Sequence, residues 1–172
     1  MTRPLPVKIR SRSRPGQLPQ LAGPNLPAGG DFRCLHCQGY VSSDPLLSRV
    51  RNRNHCPYCL WSRHLDLYAA GDRLSVCRAP MKPLGLALKR SRNRYARQQD
   101  GELMLIHHCR ECGKLSLNRI AADDDAGRLL AVFADSLALP EGWLEGSEIQ
   151  ALGARERPLV YARLRGGGWG ES

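Results

Sequence analysis

No run of about 18 apolar residues occurs in this chain, so no part of it reads as a membrane-spanning helix. The basic N-terminus has no apolar h-region, because Pro4, Pro6, Lys8 and Arg10 interrupt it, and it does not read as a secretion signal. Large aromatic anchors are scarce, with three Trp, five Tyr and two Phe in 172 residues. A core this poor in bulky side chains needs another source of stability, and seven cysteines offer one through metal ions or disulfides. The absence of an export signal leads us to expect the reducing cytoplasm, which favours thiolate–metal bonds over disulfides.

Acidic residues are almost missing from the first half. Residues 1–99 hold 18 Lys/Arg against 4 Asp/Glu, a balance of +14, whereas residues 100–172 hold 8 against 12, a balance of −4. This asymmetry points to a polyanionic partner for the first half, with nucleic acid ahead of a membrane surface. Residues 1–30 carry Arg3, Lys8, Arg10, Arg12 and Arg14 with six prolines and four glycines, and are expected to form a disordered basic arm.

From Phe32 onward, short apolar runs alternate with Gly, Pro and Asn. Leu84, Leu86 and Leu88 alternate as a half-buried strand would, and Leu103–Ile106 is a second strand candidate. Asp100-Gly101 between them is a hairpin turn signal. The arm before it carries Lys89, Arg90, Arg92, Arg94 and Arg97 around Tyr95, which predicts an exposed basic tip. After Asn118 the pattern changes. Asp123-Asp124-Asp125 precedes Leu129, Val132, Phe133 and Leu137 at helical spacing, which predicts a helix over about 124–138, ended by Pro140. A second short helix is expected at 145–153 and a strand at Val160–Leu164.

Three Cys-x-x-Cys pairs stand out: Cys34/Cys37, Cys56/Cys59 and Cys109/Cys112. A two-residue gap lets both thiolates of a tight turn face one ion, and two such knuckles complete a tetrahedron with Zn–S near ~2.3 Å. The first two pairs are 18 residues apart, within the zinc-ribbon range, and predict one structural Zn²⁺. The third pair needs two more donors. Cys77 is the remaining cysteine, and closure of the 84–106 hairpin would bring it toward Cys109. A second Zn²⁺ held by Cys77, Cys109, Cys112 and His107 is therefore expected, with His108 as the alternative histidine. The competing reading is an incomplete knuckle beside histidines that pack or face solvent.

Arg51, Asn52, Arg53, Asn54 and His55 lead straight into the second knuckle. Arginine forks onto phosphate and asparagine pairs with base edges, while Tyr58 and Trp61 are placed to stack on unpaired bases. Asn54 and His55 suit equally a role in bonding the loop and the thiolates. The nucleic-acid contacts expected are Arg51, Arg53, Asn54, Lys89, Arg90, Arg92, Arg94 and Arg97. A competing class is a metal-dependent hydrolase or nuclease using His55, His64 and Asp66, but a four-thiolate zinc offers no open position for water.

The run Arg53-Asn54-His55-Cys56-Pro57 resembles the motif that names the RNHCP-domain family. The resemblance extends through Phe32-Arg33-Cys34, Ser62–Asp66, Gly71-Asp72-Arg73, Cys77 and Met81 to His107–Gly113, Asn118–Ala121 and Asp123-Asp124. It implies a small bacterial zinc-binding domain without an assigned activity, and it supports the metal ligands, Cys77 included. Two departures stand out: Gln38 occupies the position after Cys37 where glycine is expected, and the 84–100 arm is long and basic.

These readings combine into an α+β fold. A small zinc-ribbon-like domain of short antiparallel strands, with two Cys-x-x-Cys-based metal sites, spans 31–122. A C-terminal helix and tail follow at 123–172. The expected activity is non-catalytic RNA binding, at a ribosome or another translation complex, with no membrane and no small-molecule substrate. The other possibility is a zinc-ribbon adaptor that recruits a protein through its acidic C-terminal part.

Overall fold

The computed structural model describes residues 30–89 and 101–165, and its largest sheet is built on two long strands, Pro80–Lys89 and Glu102–Cys109. The arm at 1–29, the tip residues Arg90, Arg92, Arg94 and Arg97, and the tail from 166 lie outside the described residues. In chain order the elements are β1 (Phe32–Arg33), β2 (Tyr40–Val41), α1 (Pro45–Ser48), β3 (Ser62–Arg63) and β4 (Pro80–Lys89). They continue with β5 (Glu102–Cys109), β6 (Leu115–Arg119), α2 (Ala126–Ser136) and α3 (Arg157–Arg165). β1 and β2 pair with each other, while the other strands form an antiparallel sheet in the order β3-β4-β5-β6.

β4 and β5 run in register from Met81 opposite Cys109 to Lys89 opposite Glu102. The one irregularity falls between Pro83 and Gly85. Pro83 has no N–H to give the ladder, and a bulge absorbs the loss. Gly85 has a different reason: a Cβ there would come within 3.1 Å of the Ser136 Cβ, so glycine lets α2 lie close on the sheet.

One apolar core joins the sheet to the C-terminal part. Leu60, Leu86, Leu103 and Leu105 pack with Leu129 and Phe133 of α2, with Leu152 and with Val160 of α3. Leu129, Phe133, Leu152 and Val160 of the C-terminal part therefore share one core with the sheet. Fully burying one such side chain contributes roughly 1.5–3 kcal/mol, so the helices are integral to stability.

The C-terminal expectations need correction at three points. α2 begins at Ala126, two residues later than expected, because Asp123 and Asp124 face the second knuckle and only Asp125 caps the helix, through Arg128 N–H at 2.7 Å. Residues 145–153 form no helix: Gly142 and Gly146 adopt φ of 82° and 77°, and the chain then runs extended, with Leu152 N–H donating to Leu86 O at 2.8 Å. Residues 160–164 are helical, not a strand. Pro158 stands in the first turn of α3, where its missing N–H removes no helical bond, and Val160 faces the core.

Candidate metal centres and the adjoining basic groove

The three knuckles share one backbone design. In each, the first cysteine's N–H donates to the carbonyl five residues on, and its own carbonyl accepts from the N–H four residues on. The pairs are Cys34 with Gly39 and Gln38, Cys56 with Trp61 and Leu60, and Cys109 with Lys114 and Gly113, at 2.8–3.2 Å. The residue after the second cysteine must turn left-handed, and it does so at Gln38 (φ 62°), Leu60 (63°) and Gly113 (73°). Only the third knuckle uses the residue that does this without strain.

The first centre brings together Cys34, Cys37, Cys56 and Cys59, with all four sulfurs within 4.8 Å of one another. Cys34 and Cys59 Sγ lie 3.5 Å apart, and Cys37 and Cys56 Sγ 3.6 Å apart. A tetrahedron with vertices ~2.3 Å from a central ion has edges of about 3.8 Å, so the spacing fits four thiolates on one zinc. The chemistry fits too. Burial pushes the Cys56 thiol up to about 11 and drives Cys59 higher still, so ionising both at neutral pH requires a neighbouring cation. Zinc supplies that charge when bound. Around the centre, His36 stacks on Trp61 at 4.2 Å with rings 5° from parallel, which leaves Trp61 engaged within the protein.

The second centre differs from expectation in one ligand. Cys77, Cys109 and Cys112 converge with His64, not with His107. Cys77 and Cys109 Sγ are 3.6 Å apart, and His64 Nδ1 lies 3.3 Å from Cys112 Sγ. Closure of the hairpin delivers Cys77 as expected. His64 arrives by another route: β3 pairs with β4 at Ser62–Met81 and Arg63–Pro80, and His64 N–H donates to Ala79 O, two residues beyond Cys77. His107 shares a strand face with Cys109 but stands two residues away, roughly 6.8 Å along the strand. It is also occupied. Its Nε2 meets Leu60 O at 2.7 Å, an atom that only accepts, so Nε2 carries the proton. Burial pushes its pKa down to about 3, so the ring is neutral and Nδ1 accepts from Asn118 Nδ2 at 2.7 Å.

A family model of the RNHCP domain matches residues 29–130, more than half of the chain. The chain belongs to the RNHCP family. No curated protein and no solved structure matches it.

The residues that name the RNHCP domain are buried, which overturns the expectation that Arg53 contacts phosphate. The Arg53 side chain is 0% exposed. Its Nη1 donates to both Asp123 oxygens at 2.8 and 2.7 Å, its Nη2 to Asp124 at 3.2 Å and its Nε to the His55 carbonyl. His55 Nε2 donates to Asp124 at 2.8 Å, and the Pro57 carbonyl accepts from Asp125 N–H at 3.1 Å. The motif therefore clamps the second knuckle to the start of α2. Asn54 is also buried, but it is the exception, because its side-chain amide makes no hydrogen bond among the described residues.

The residues considered for hydrolysis have other tasks. His55 holds Asp124, and His64 stands at the second centre. Asp66 accepts from the N–H groups of Gly71 and Arg73, at 2.8 and 3.2 Å. Each metal cluster offers four donors, which fills a tetrahedral ion. Next to the signature lies an open groove of about 520 Å³, lined by Arg49, Arg51, Lys89 and Arg119 with Asn54 and Asn118. Arg51 and Lys89 were expected contacts; Arg49, Arg119 and Asn118 were not. Arg119 pairs with Glu102 at 3.0 Å, whereas no ion pair engages Arg49, Arg51 or Lys89 among the described residues. Only the general basic excess of the first half hinted at Arg49.

Proposed function

We propose that this RNHCP protein is a metal-scaffolded, non-catalytic nucleic-acid-binding protein whose partner is RNA, in a ribosomal or other translation setting. The reading rests on one observation above all: Arg49, Arg51 and Lys89 line a single groove, and no ion pair engages them among the described residues. Three such cations around a concave surface suit successive phosphates, and the metal-held knuckle at Cys56 fixes the loop that carries two of them. Charge supplies affinity here, so binding must weaken with salt.

The test is fluorescence anisotropy with a labelled single-stranded RNA between about 50 and 200 mM salt. The expected log–log slope is about −0.7 per phosphate neutralised, so three contacts give roughly −2. Arg51→Glu then weakens binding and flattens the slope. Absence of binding, or binding indifferent to salt, overturns the reading. A protein-interaction adaptor is the second reading, favoured by the exposed Tyr68, Leu74 and Val76 around the second centre. It requires a partner retained after nuclease treatment.

A further inference from the structure

Every residue of the RNHCP signature is held by the fold, but Asn54 only through its backbone, whose carbonyl accepts from Arg63 N–H at 3.1 Å. Arg53 and His55 hold the acidic run, Cys56 is at the first centre, and the Pro57 carbonyl anchors Asp125. Asn54 is 7% exposed, and its carboxamide has no hydrogen-bond partner among the described residues. The amide is not sealed off: among the described residues the buried polar atoms without a partner are His64 Nε2 and Arg73 Nη1, so the Asn54 carboxamide is open to the concavities that it lines.

Asn54 stands where two concavities meet. It lines the basic groove of about 520 Å³ and also an adjoining pocket of about 230 Å³, and Asn118 lines both as well. Asn118 has already committed its Nδ2 to His107, which leaves Oδ1 as its unused polar atom. The pair therefore presents two carbonyl oxygens and one amide nitrogen. Met104 and Leu117 contribute apolar surface to the same groove, and Arg49, Arg51 and Lys89 stand around it. The larger volume falls within the roughly 300–1,000 Å³ typical of small-ligand sites.

We infer that this groove takes one unpaired nucleobase whose Watson–Crick edge sets an exocyclic amine beside an unprotonated ring nitrogen, adenine or cytosine, read by Asn54 and Asn118. The amine offers two N–H groups to the two amide oxygens, and the adjacent ring nitrogen accepts from Asn54 Nδ2. Uracil presents a carbonyl where the amine would stand, and the Asn118 oxygen, fixed by the bond from its Nδ2 to His107, cannot bond it. The base lies against Met104 and Leu117 while its flanking phosphates meet Arg49, Arg51 and Lys89. A duplex cannot bind this way, because its base edges are paired. The inference rests on the nucleic-acid reading above and adds to it the identity of the bound base.

The experiment compares labelled single-stranded oligoadenylate, oligocytidylate and oligouridylate of equal length on the full-length, metal-loaded protein at one salt concentration. Adenylate and cytidylate are expected to bind about tenfold more tightly than uridylate, in line with a good bidentate base contact. Asn54→Ala is expected to reduce this preference without altering the salt slope. Arg51→Glu is expected to weaken all three oligomers together. A probe change needs no altered protein: purine riboside, which lacks the amine, in place of adenosine should lower wild-type affinity by about tenfold. Salt-sensitive binding that is equal for all three homopolymers overturns this inference and leaves the nucleic-acid reading standing. So does a purine riboside oligomer that binds as well as adenylate. Failure of all three to bind overturns both.

Discussion

Replacing Asp124 with asparagine keeps the shape of the side chain and removes its charge. The native carboxylate is 0% exposed and accepts from three groups: Arg53 Nη2 at 3.2 Å, His55 Nε2 at 2.8 Å and Ala121 N–H at 2.7 Å. An asparagine has one acceptor oxygen and turns its NH₂ toward donors, so at least one buried donor loses its partner. The Arg53 guanidinium, itself fully buried, keeps Asp123 as its one carboxylate, beside the carbonyls of His55 and Ser42. Breaking a buried pair from one side destabilises by about 3–5 kcal/mol, which is a large part of the ~5–15 kcal/mol that holds an ordinary domain. Asp123 provides the control. Its side chain is 38% exposed, so Asp123→Asn is expected to lose about 1 kcal/mol or less. Urea unfolding at pH 7 with zinc in excess, followed by circular dichroism, measures both. If Asp124→Asn loses no more than Asp123→Asn, the signature does not clamp α2 to the knuckle, and the burial argument for Arg53 is wrong.

Three further outcomes follow from the geometry. His64→Ala is expected to lower bound zinc by one ion per chain, whereas His107→Gln keeps both ions and loses only stability; atomic absorption on the purified variants separates the two. Gln38→Gly relieves a left-handed φ of 62° on an exposed residue and is expected to raise stability by roughly 0.5–1 kcal/mol, or about 1–4 °C in Tm. Leu60→Gly relieves the same strain but deletes a fully buried core side chain, and is expected to lose roughly 3–5 kcal/mol. The Asp72 carboxyl accepts from the N–H groups of Leu67, Tyr68, Ala69 and Leu74, and these bonds, led by that of Ala69, hold it well below the usual carboxylate range. A depressed folded value means that the stabilisation is present above the unfolded pKa of about 3.9 and is lost as pH falls through the folded one. Asp72→Asn should therefore show a constant deficit above about pH 5. That deficit should shrink below about pH 4, read as the difference between the two proteins' urea midpoints at each pH in one zinc buffer.

The hairpin, the first metal centre and three ligands of the second were legible because each depends on local spacing. Cys-x-x-Cys places two sulfurs on one turn whatever surrounds it, and the 84–106 hairpin alone accounts for Cys77. His64 was not legible as a ligand. Its position depends on β3, two residues long, pairing with β4, and so short a strand leaves no period in the sequence. His107 misled because it neighbours Cys109 in sequence, while strand geometry separates them and Leu60 O and Asn118 occupy its ring. Arg53 looked like a phosphate ligand because its carboxylates lie 70 and 71 residues further on. The acidic run was read only for its effect on the helix it precedes. The α3 segment was too short for its pattern to decide between strand and helix.

Two four-donor clusters able to hold metal frame the fold and the groove, and native mass spectrometry of the protein purified without added metal tests most directly whether both are filled. The expected result is two zinc ions per chain, with chelation of both unfolding the residues that carry them, since structural zinc contributes about 10–16 kcal/mol of apparent binding energy. A chain that flies with no metal, or that keeps its circular dichroism and melting unchanged once the ions are removed, contradicts the account.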